Sequence, residues 1–252
     1  TAANPFKAGL RRSPPMIGTW SMSASPVVAE ALGHAGFDFL ALDMEHAVID
    51  VPVLFGLLQA VAGTPAASVV RLAWNDRVLV KRVMDAGGQS LMFPYIQNAE
   101  EARAAVLATR YPPQGLRGVA AMHRASRFGA APDYLQRAND QVCVILQLET
   151  REALSRIEEI AAVEHVDSLF VGPGDLSGDM GLIGQIGHAE VQGALADAAA
   201  ACRAAGKPVG IVGPNPEMVR RFLDYGYDWV AVASDLAMMM TRAKDHLAAL
   251  RG

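Results

Sequence analysis

The sequence predicts an α/β fold, a closed (β/α)8 TIM barrel with eight parallel strands, on three observations. Short, nearly continuous apolar runs alternate with longer segments of helical periodicity, the pattern of parallel strands buried on both faces. The alternation repeats eight times in 252 residues, which is the size and rhythm of such a barrel. No Ser/Gly-rich linker interrupts it, so residues 1–252 read as a single barrel domain. An open doubly wound sheet is the alternative arrangement of the same units.

The elements follow in order. MIGTWS (Met16 to Ser21) is the first strand, and SPVVAEALGHAG the first helix, ending in the glycine that helix C-termini prefer. FDFLALD (Phe37 to Asp43) leads to VPVLFGLLQAVAG, and SVVRLA (Ser68 to Ala73) to DRVLVKRVMDAGG, both helices again closing on glycine. SLMFPYI (Ser90 to Ile96) precedes AEEARAAVLATR. The stretch Tyr111 to Gln141 then breaks the rhythm; it is too long for an ordinary connection and reads as a functional loop or insertion after strand four. VCVILQLE (Val142 to Glu149) and TREALSRIEEIAAVE form the fifth unit. SLFVGP (Ser168 to Pro173) with EVQGALADAAAACRAAGK and VGIVG (Val209 to Gly213) with PEMVRRFLDYGY form the sixth and seventh. WVAVAS (Trp229 to Ser234) and a final helix over about 235–251 complete the eighth.

Composition narrows the function. The chain is 52% hydrophobic and 19% charged, with a net charge of −4 and no dense Lys/Arg block, so neither nucleic acid nor an anionic membrane is an expected partner. A small molecule is. Cys143 and Cys202 share no ligand spacing and read as core thiols of a reducing compartment. No apolar run is long enough to cross a bilayer, and TAANPFKAGLRRSPP has no hydrophobic signal core, so a cytoplasmic location is expected.

Active sites of such barrels lie at the C-terminal ends of the strands. Asp43, Glu45 and His46 fall there, with Trp20, Arg71, Gln97, Gln147, Glu149 and Asp175. Glu149 and Asp175 end successive strands; as neighbours they need a cation or a shared proton, and hard oxygen ligands suit Mg²⁺ or Mn²⁺. Alternatively each carboxylate caps the helix that follows it. His46 is a candidate general base oriented by Asp43 or Glu45, or else a hydrogen-bonded structural histidine. Arg71, a charge inside a buried strand, points to an anion in the barrel mouth or to a salt bridge with Glu45. VGPGDLSGDMG is not a dinucleotide fingerprint, because Ser177 stands where the third glycine belongs. Gly172 and Gly174 would instead let backbone N–H groups approach a carboxylate or phosphate at a helix start. None of the four lysines, Lys7, Lys81, Lys207 and Lys244, sits at a strand C-terminus, which disfavours Schiff-base chemistry.

The segments LALDMEHA, SVVRLAWND, LMFPYIQNAEEARAAV, RYPPQGLRGV, ILQLETREAL, DSLFVGPGDLSGDMG and WVAVASD together resemble the HpcH/HpaI aldolase family, and within it the 4-hydroxy-2-oxoheptanedioate aldolases. The resemblance runs from about Pro14 to the C-terminus. It implies a class II pyruvate aldolase that uses Mg²⁺, Mn²⁺ or Co²⁺ to cleave 4-hydroxy-2-oxo acids into pyruvate and an aldehyde, reversibly. Glu149 and Asp175 would hold the ion, and Gln147 with the backbone around Gly172, Pro173 and Gly174 would bind the oxo acid. His46 would be the base, through a water, with Asp43 beside it, and Arg71 would stabilise the enolate. Asp85 matches an acidic partner of the histidine but ends the third helix, so it would have to act from a neighbouring subunit. Trp20, Val119, Met122 and Val212 would line the pocket. The resemblance also implies a homo-oligomer, a hexamer built as a trimer of dimers, in which the last helix packs on a neighbour. Gly174 and Ala233 depart from the usual Ala or Ser and Gly. The alternatives are a dehydrodeoxyglucarate-type or citrate lyase β-like enzyme on another oxo acid or acyl thioester, and a non-catalytic binding barrel.

Overall fold

In the computed structural model, which describes residues 3–251, eight parallel strands close into a barrel in strict sequence order, β1 pairing with both β2 and β8. Thr1, Ala2 and Gly252 lie outside the described residues. The strands are β1 (Met16–Ser21), β2 (Phe39–Asp43), β3 (Ala67–Arg71), β4 (Ser90–Phe93), β5 (Cys143–Leu148), β6 (Ser168–Val171), β7 (Val209–Gly213) and β8 (Trp229–Ser234). β1, β7 and β8 coincide with the runs expected from the sequence, β3 begins one residue before its run and ends two before, and the other four are two or three residues shorter. The fourth stops at Phe93 because Pro94 has no N–H for the ladder and Tyr95 takes a left-handed backbone, φ 55°.

Around the barrel run α1 (Pro5–Gly9), α2 (Pro26–His34), α3 (Val51–Ala62), α4 (Arg77–Asp85), α5 (Ala99–Thr109), α6 (Tyr134–Gln141), α7 (Arg151–Ser155), α8 (Ile157–Ala161), α9 (Pro173–Asp179), α10 (Ala189–Ala204), α11 (Pro216–Tyr225) and α12 (Asp235–Arg251). The strands are continuous in hydrophobicity because both faces are buried. Leu40, Leu42, Val70, Val144, Leu146 and Ile211 face the helices, while Phe39, Ala41, Val69, Cys143, Ile145 and Trp229 fill the interior. Gly210 is required where it stands, since a Cβ there would enter the Trp229 indole.

Four features differ from the expected elements. The helix expected over TREALSRIEEIAAVE is broken at Arg156 (φ −111°, ψ 14°) into α7 and α8. α9 begins directly at Pro173, so three candidate site residues form its first turn. The long irregular stretch follows α5 rather than β4, and Arg124 within it donates to Ala86 O and Leu58 O near the ends of α4 and α3. It therefore covers the N-terminal face of the barrel, where α–β connections lie. α1 plugs the same face. Phe6 packs edge-on against Phe39 and Trp229, with centroids 5.1 and 5.2 Å away. Around it Asn4 bonds Ser90 and Gln141, and Lys7 reaches Val142 O and Asp167.

α12 leaves the barrel. Beyond Asp235 every described side chain is exposed except the half-buried Met238. No helix among the described residues is long and apolar enough to cross a membrane.

Candidate active site

Strand parity assembles the site. Because alternate residues point inward, the inward row of β2 ends at Asp43, of β3 at Arg71, of β5 at Gln147 and of β7 at Val212. Together with Trp20, Met22, Glu149, Phe170, Pro173 and Asp175, most of these line a cavity of about 380 Å³ at the C-terminal rim. A larger hollow of about 830 Å³ lies at the other end, under the long loop, bordered by Leu58, Met84, Arg117, Arg124 and Tyr134. The strand-end carboxylates belong to the smaller one.

Arg71 is fixed from three sides. Its Nε and Nη2 donate to Asp43 Oδ1 and Oδ2 at 2.9 and 2.7 Å, a bidentate pair, and Nη1 lies 3.1 Å from Glu45 Oε2. The guanidinium rests on the Trp20 ring, 4.1 Å from its centroid. One N–H on each Nη remains for a ligand. Asp43 is fully buried, and its Oδ1 also accepts from the backbone N–H of Glu45 and His46, at 3.0 and 3.3 Å. The salt bridge expected with Glu45 forms, and the head group borders the cavity as well.

Glu149 is the most perturbed group at the rim. It is 1% exposed, and burial is the main cause that pushes its carboxyl up to about 7; Asp175 and Glu45 add to this by repulsion. Gln147 Nε2 donates to Oε2 at 2.6 Å, and Tyr95 N donates to Oε1 at 2.8 Å. The left-handed turn at Tyr95 is what aims that N–H. Gly172 lies so close that a Cβ would sit 2.5 Å from Glu149 Oε2. Glu45 is also raised, by burial first, with Arg71 and His46 acting the other way. Glu149 does not cap a helix: Thr150 caps α7, its side chain accepting from Ala153 N at 3.1 Å. Gln147 Oε1 is buried beside this carboxylate without a hydrogen-bond partner.

Such a rim offers a clamped guanidinium to an anion and, on the same cavity, a buried carboxylate short of positive charge to a cation. Residues 16–241 match HpcH/HpaI aldolase/citrate lyase. The chain belongs to that family. It is 54% identical over 243 residues to the 2-dehydro-3,6-dideoxy-6-sulfogluconate aldolase of Pseudomonas putida, an alignment covering 96% of this chain and 95% of the relative. To the 4-hydroxy-2-oxo-heptane-1,7-dioate aldolase of Escherichia coli it is 48% identical over 250 residues, 99% of this chain and 95% of the relative. The crystal structure of an HpcH/HpaI aldolase/citrate lyase family protein from Burkholderia cenocepacia superimposes with a TM-score of 0.96 at 41% identity, covering 99% and 100% of the two chains. The chain is thus an aldolase, a lyase of the HpcH/HpaI family.

Of the residues that resemblance to the family singled out, Trp20, Arg71, Gln147, Glu149, Gly172, Pro173, Gly174, Asp175 and Val212 border one cavity. Asp43 stands directly behind Arg71. His46 lies on the same rim but points outward. Its side chain is 57% exposed, with Nε2 3.9 Å from Glu45 Oε1, and Asp43 touches only its backbone. Asp85, Val119 and Met122 sit elsewhere. Asp85 ends α4 on the N-terminal face, where it accepts from Arg117 Nη2 at 2.7 Å and lies 3.6 Å from His123 Nε2. Val119 and Met122, 63% and 75% exposed, belong to the loop on that same face. Gly174 meets open space, so an alanine there would fit. Among the described residues no lysine lines the cavity, and Lys7 and Lys207 bond backbone carbonyls beside the strand starts. Phe170 and Ala233 escaped the sequence reading although inward parity from Ser168 and Trp229 points to both. Tyr95 carried no such signal, since its role is played by its backbone.

Proposed function

We propose that this chain is a divalent-metal-dependent pyruvate aldolase, cleaving 4-hydroxy-2-oxo acids to pyruvate and an aldehyde and running the reverse addition. The observation that carries the reading is the pair formed by the Glu149 carboxylate and Gln147 Oε1 at the mouth that Arg71 overlooks, the first buried beside no cation and the second without a hydrogen-bond partner among the described residues. Among the described residues no trio of His, Cys, Asp or Glu could hold a metal alone. Glu149 and Asp175 would therefore share the ion with water and substrate oxygens, a hard donor set fitting Mg²⁺, Mn²⁺ or Co²⁺. When bound, the ion supplies Lewis-acid polarisation to the oxo acid.

The chain's own groups do the rest. Gln147 and the first turn of α9, Pro173 to Asp175, would hold the oxo acid, with N–H groups of a helix start facing its carboxylate. The free N–H groups of Arg71 would donate to the oxygen on which negative charge develops as the carbon–carbon bond breaks, and Asp43 and Trp20 keep them aimed. His46 would take the C4 hydroxyl proton through a water. Asp85 and Val119 can serve this site only from a second copy whose N-terminal face meets this rim. The exposed Met239, Met240, Leu247 and Leu250 of α12 support such an assembly, a trimer of dimers with α12 seated on a neighbour. The names of both relatives describe oxo acids with a second acidic group, a carboxylate or a sulfonate. An acidic aldehyde is accordingly the expected product beside pyruvate.

The test is pyruvate release from 4-hydroxy-2-oxo acids. Release should stop with EDTA and return with Mg²⁺, Mn²⁺ or Co²⁺, and borohydride with pyruvate should trap no lysine adduct. Undiminished release from metal-stripped protein would reject the reading.

A further inference from the structure

The seam between β1 and β8 is irregular. Met16, Ile17 and Gly18 pair with Trp229, Val230 and Ala231, but Trp20 pairs with Ser234, so β8 holds one residue more than β1 across the same span. Ala233 accommodates the bulge in the left-handed region, φ 51°. Side chains take over where the ladder fails. Thr19 Oγ1 donates to Val232 O at 2.8 Å. Asp235, 6% exposed and the first residue of α12, gathers the other strand's exit. Its Oδ1 accepts from Met22 N at 2.9 Å and Leu236 N at 2.8 Å, and its Oδ2 from Ser23 N at 3.0 Å and Ser21 Oγ at 3.5 Å.

The clamped stretch carries Trp20 and Met22, both in the cavity wall. Trp20 in turn underlies Arg71 and meets Phe170 edge-on at 6.1 Å. Three backbone N–H groups and a hydroxyl converge on this one carboxylate at the head of α12, where a helix start favours negative charge, so the exit of β1 is tied to a fixed anchor. We propose that Asp235 is a positioning residue: by fixing Ser21 to Ser23 at the root of α12 it holds Trp20 and Met22, and through Trp20 it keeps Arg71 aimed into the cavity. The inference rests on the aldolase reading of that cavity for its effect on turnover, but not for its effect on Trp20.

The experiment therefore has two arms. The chain holds three tryptophans, Trp20, Trp74 and Trp229, so 5-fluorotryptophan labelling gives three ¹⁹F signals, and Trp20→Phe assigns one. In Asp235→Ala the Trp20 signal should move or broaden while the other two hold. Asp235→Asn, which keeps one acceptor oxygen, should lie between and serves alone should the alanine variant not fold. In the second arm, kcat for pyruvate release should fall about 10- to 10²-fold with KM within about twofold, as for a misplaced catalytic group. Its loss should not add to that of Trp20→Phe in the double variant. An unmoved Trp20 signal, or fully additive losses, would overturn the proposal. A wild-type protein that released no pyruvate would instead remove the aldolase reading, leaving the ¹⁹F arm to decide the coupling.

Discussion

Replacing Glu149 with glutamine should make the metal-free protein more stable while removing its activity. Burial raises the folded carboxyl from 4.5 to about 7, and the unfolded chain ionises first as pH rises. The folded state thus suffers no penalty below pH 4.5, loses stability progressively between there and 7, and bears the full penalty above. A carboxyl raised that far corresponds to about 3 kcal/mol at most. Glutamine keeps the shape and the bond from Tyr95 N. Its amide can donate to Gln147 Oε1, which lacks a partner, once the Gln147 amide turns over. For a chain of this size the gain is roughly 6–12 °C in Tm at pH 8 and close to nothing at pH 4.5. Differential scanning fluorimetry of EDTA-treated wild type and Glu149→Gln across pH 4.5 to 8.5 reads both slopes. Added Mg²⁺ or Mn²⁺ should raise the wild type and leave the variant where it is. Parallel Tm curves for the two proteins at every pH would refute the reasoning, because Glu149 would then not be an uncompensated buried charge.

Three further outcomes are expected. Arg71→Ala should lower both aldol cleavage and deuterium exchange at the methyl group of pyruvate by about 10²-fold or more, with Arg71→Lys recovering little because one ammonium cannot span both oxygens of Asp43; near-normal exchange in Arg71→Ala would reduce the arginine to a salt-bridge partner. Ala233→Gly should stabilise by up to about 1 kcal/mol, since alanine bears a left-handed φ of 51° there, and chemical denaturation decides it. Light scattering should find an assembly larger than 26.7 kDa, and an active monomer at that mass would leave the apolar side of α12 unexplained.

What was legible in the sequence came from periodicity. Runs buried on both faces gave the barrel, and counting to the end of each run brought Asp43, Arg71, Gln147, Glu149 and Asp175 to one rim. Parity within the runs carried more than was read from it: two steps inward from Ser168 and four from Trp229 lead to Phe170 and Ala233. Other features have no local signature. PFKAG is too short to declare itself a helix, and only the hollow at the foot of the barrel makes Phe6 a plug. A tyrosine in a left-handed turn is an exception no propensity favours, and here its N–H donates to Glu149. The stretch Tyr111–Gln141 was legible as a break in the rhythm, but neither its closing helix α6 nor its place on the N-terminal face, beyond the end of α5, was read from it. Thr150 took the capping role that Glu149 could have filled, because threonine stands one residue closer to the helix.

The aromatic stopper formed by Phe6, Phe39 and Trp229 fills the foot of the barrel, so the cavity at the C-terminal rim is reached from the mouth. Whatever enters must leave by the mouth it came through. Under the aldolase reading the pyruvate half lies deeper, against Gln147 and Glu149, and the aldehyde lies above it. Departure then has an imposed order, aldehyde before pyruvate. Product inhibition should record it: pyruvate competing with the oxo acid for the vacant cavity, and the aldehyde acting as a mixed inhibitor by returning to a cavity that pyruvate still occupies.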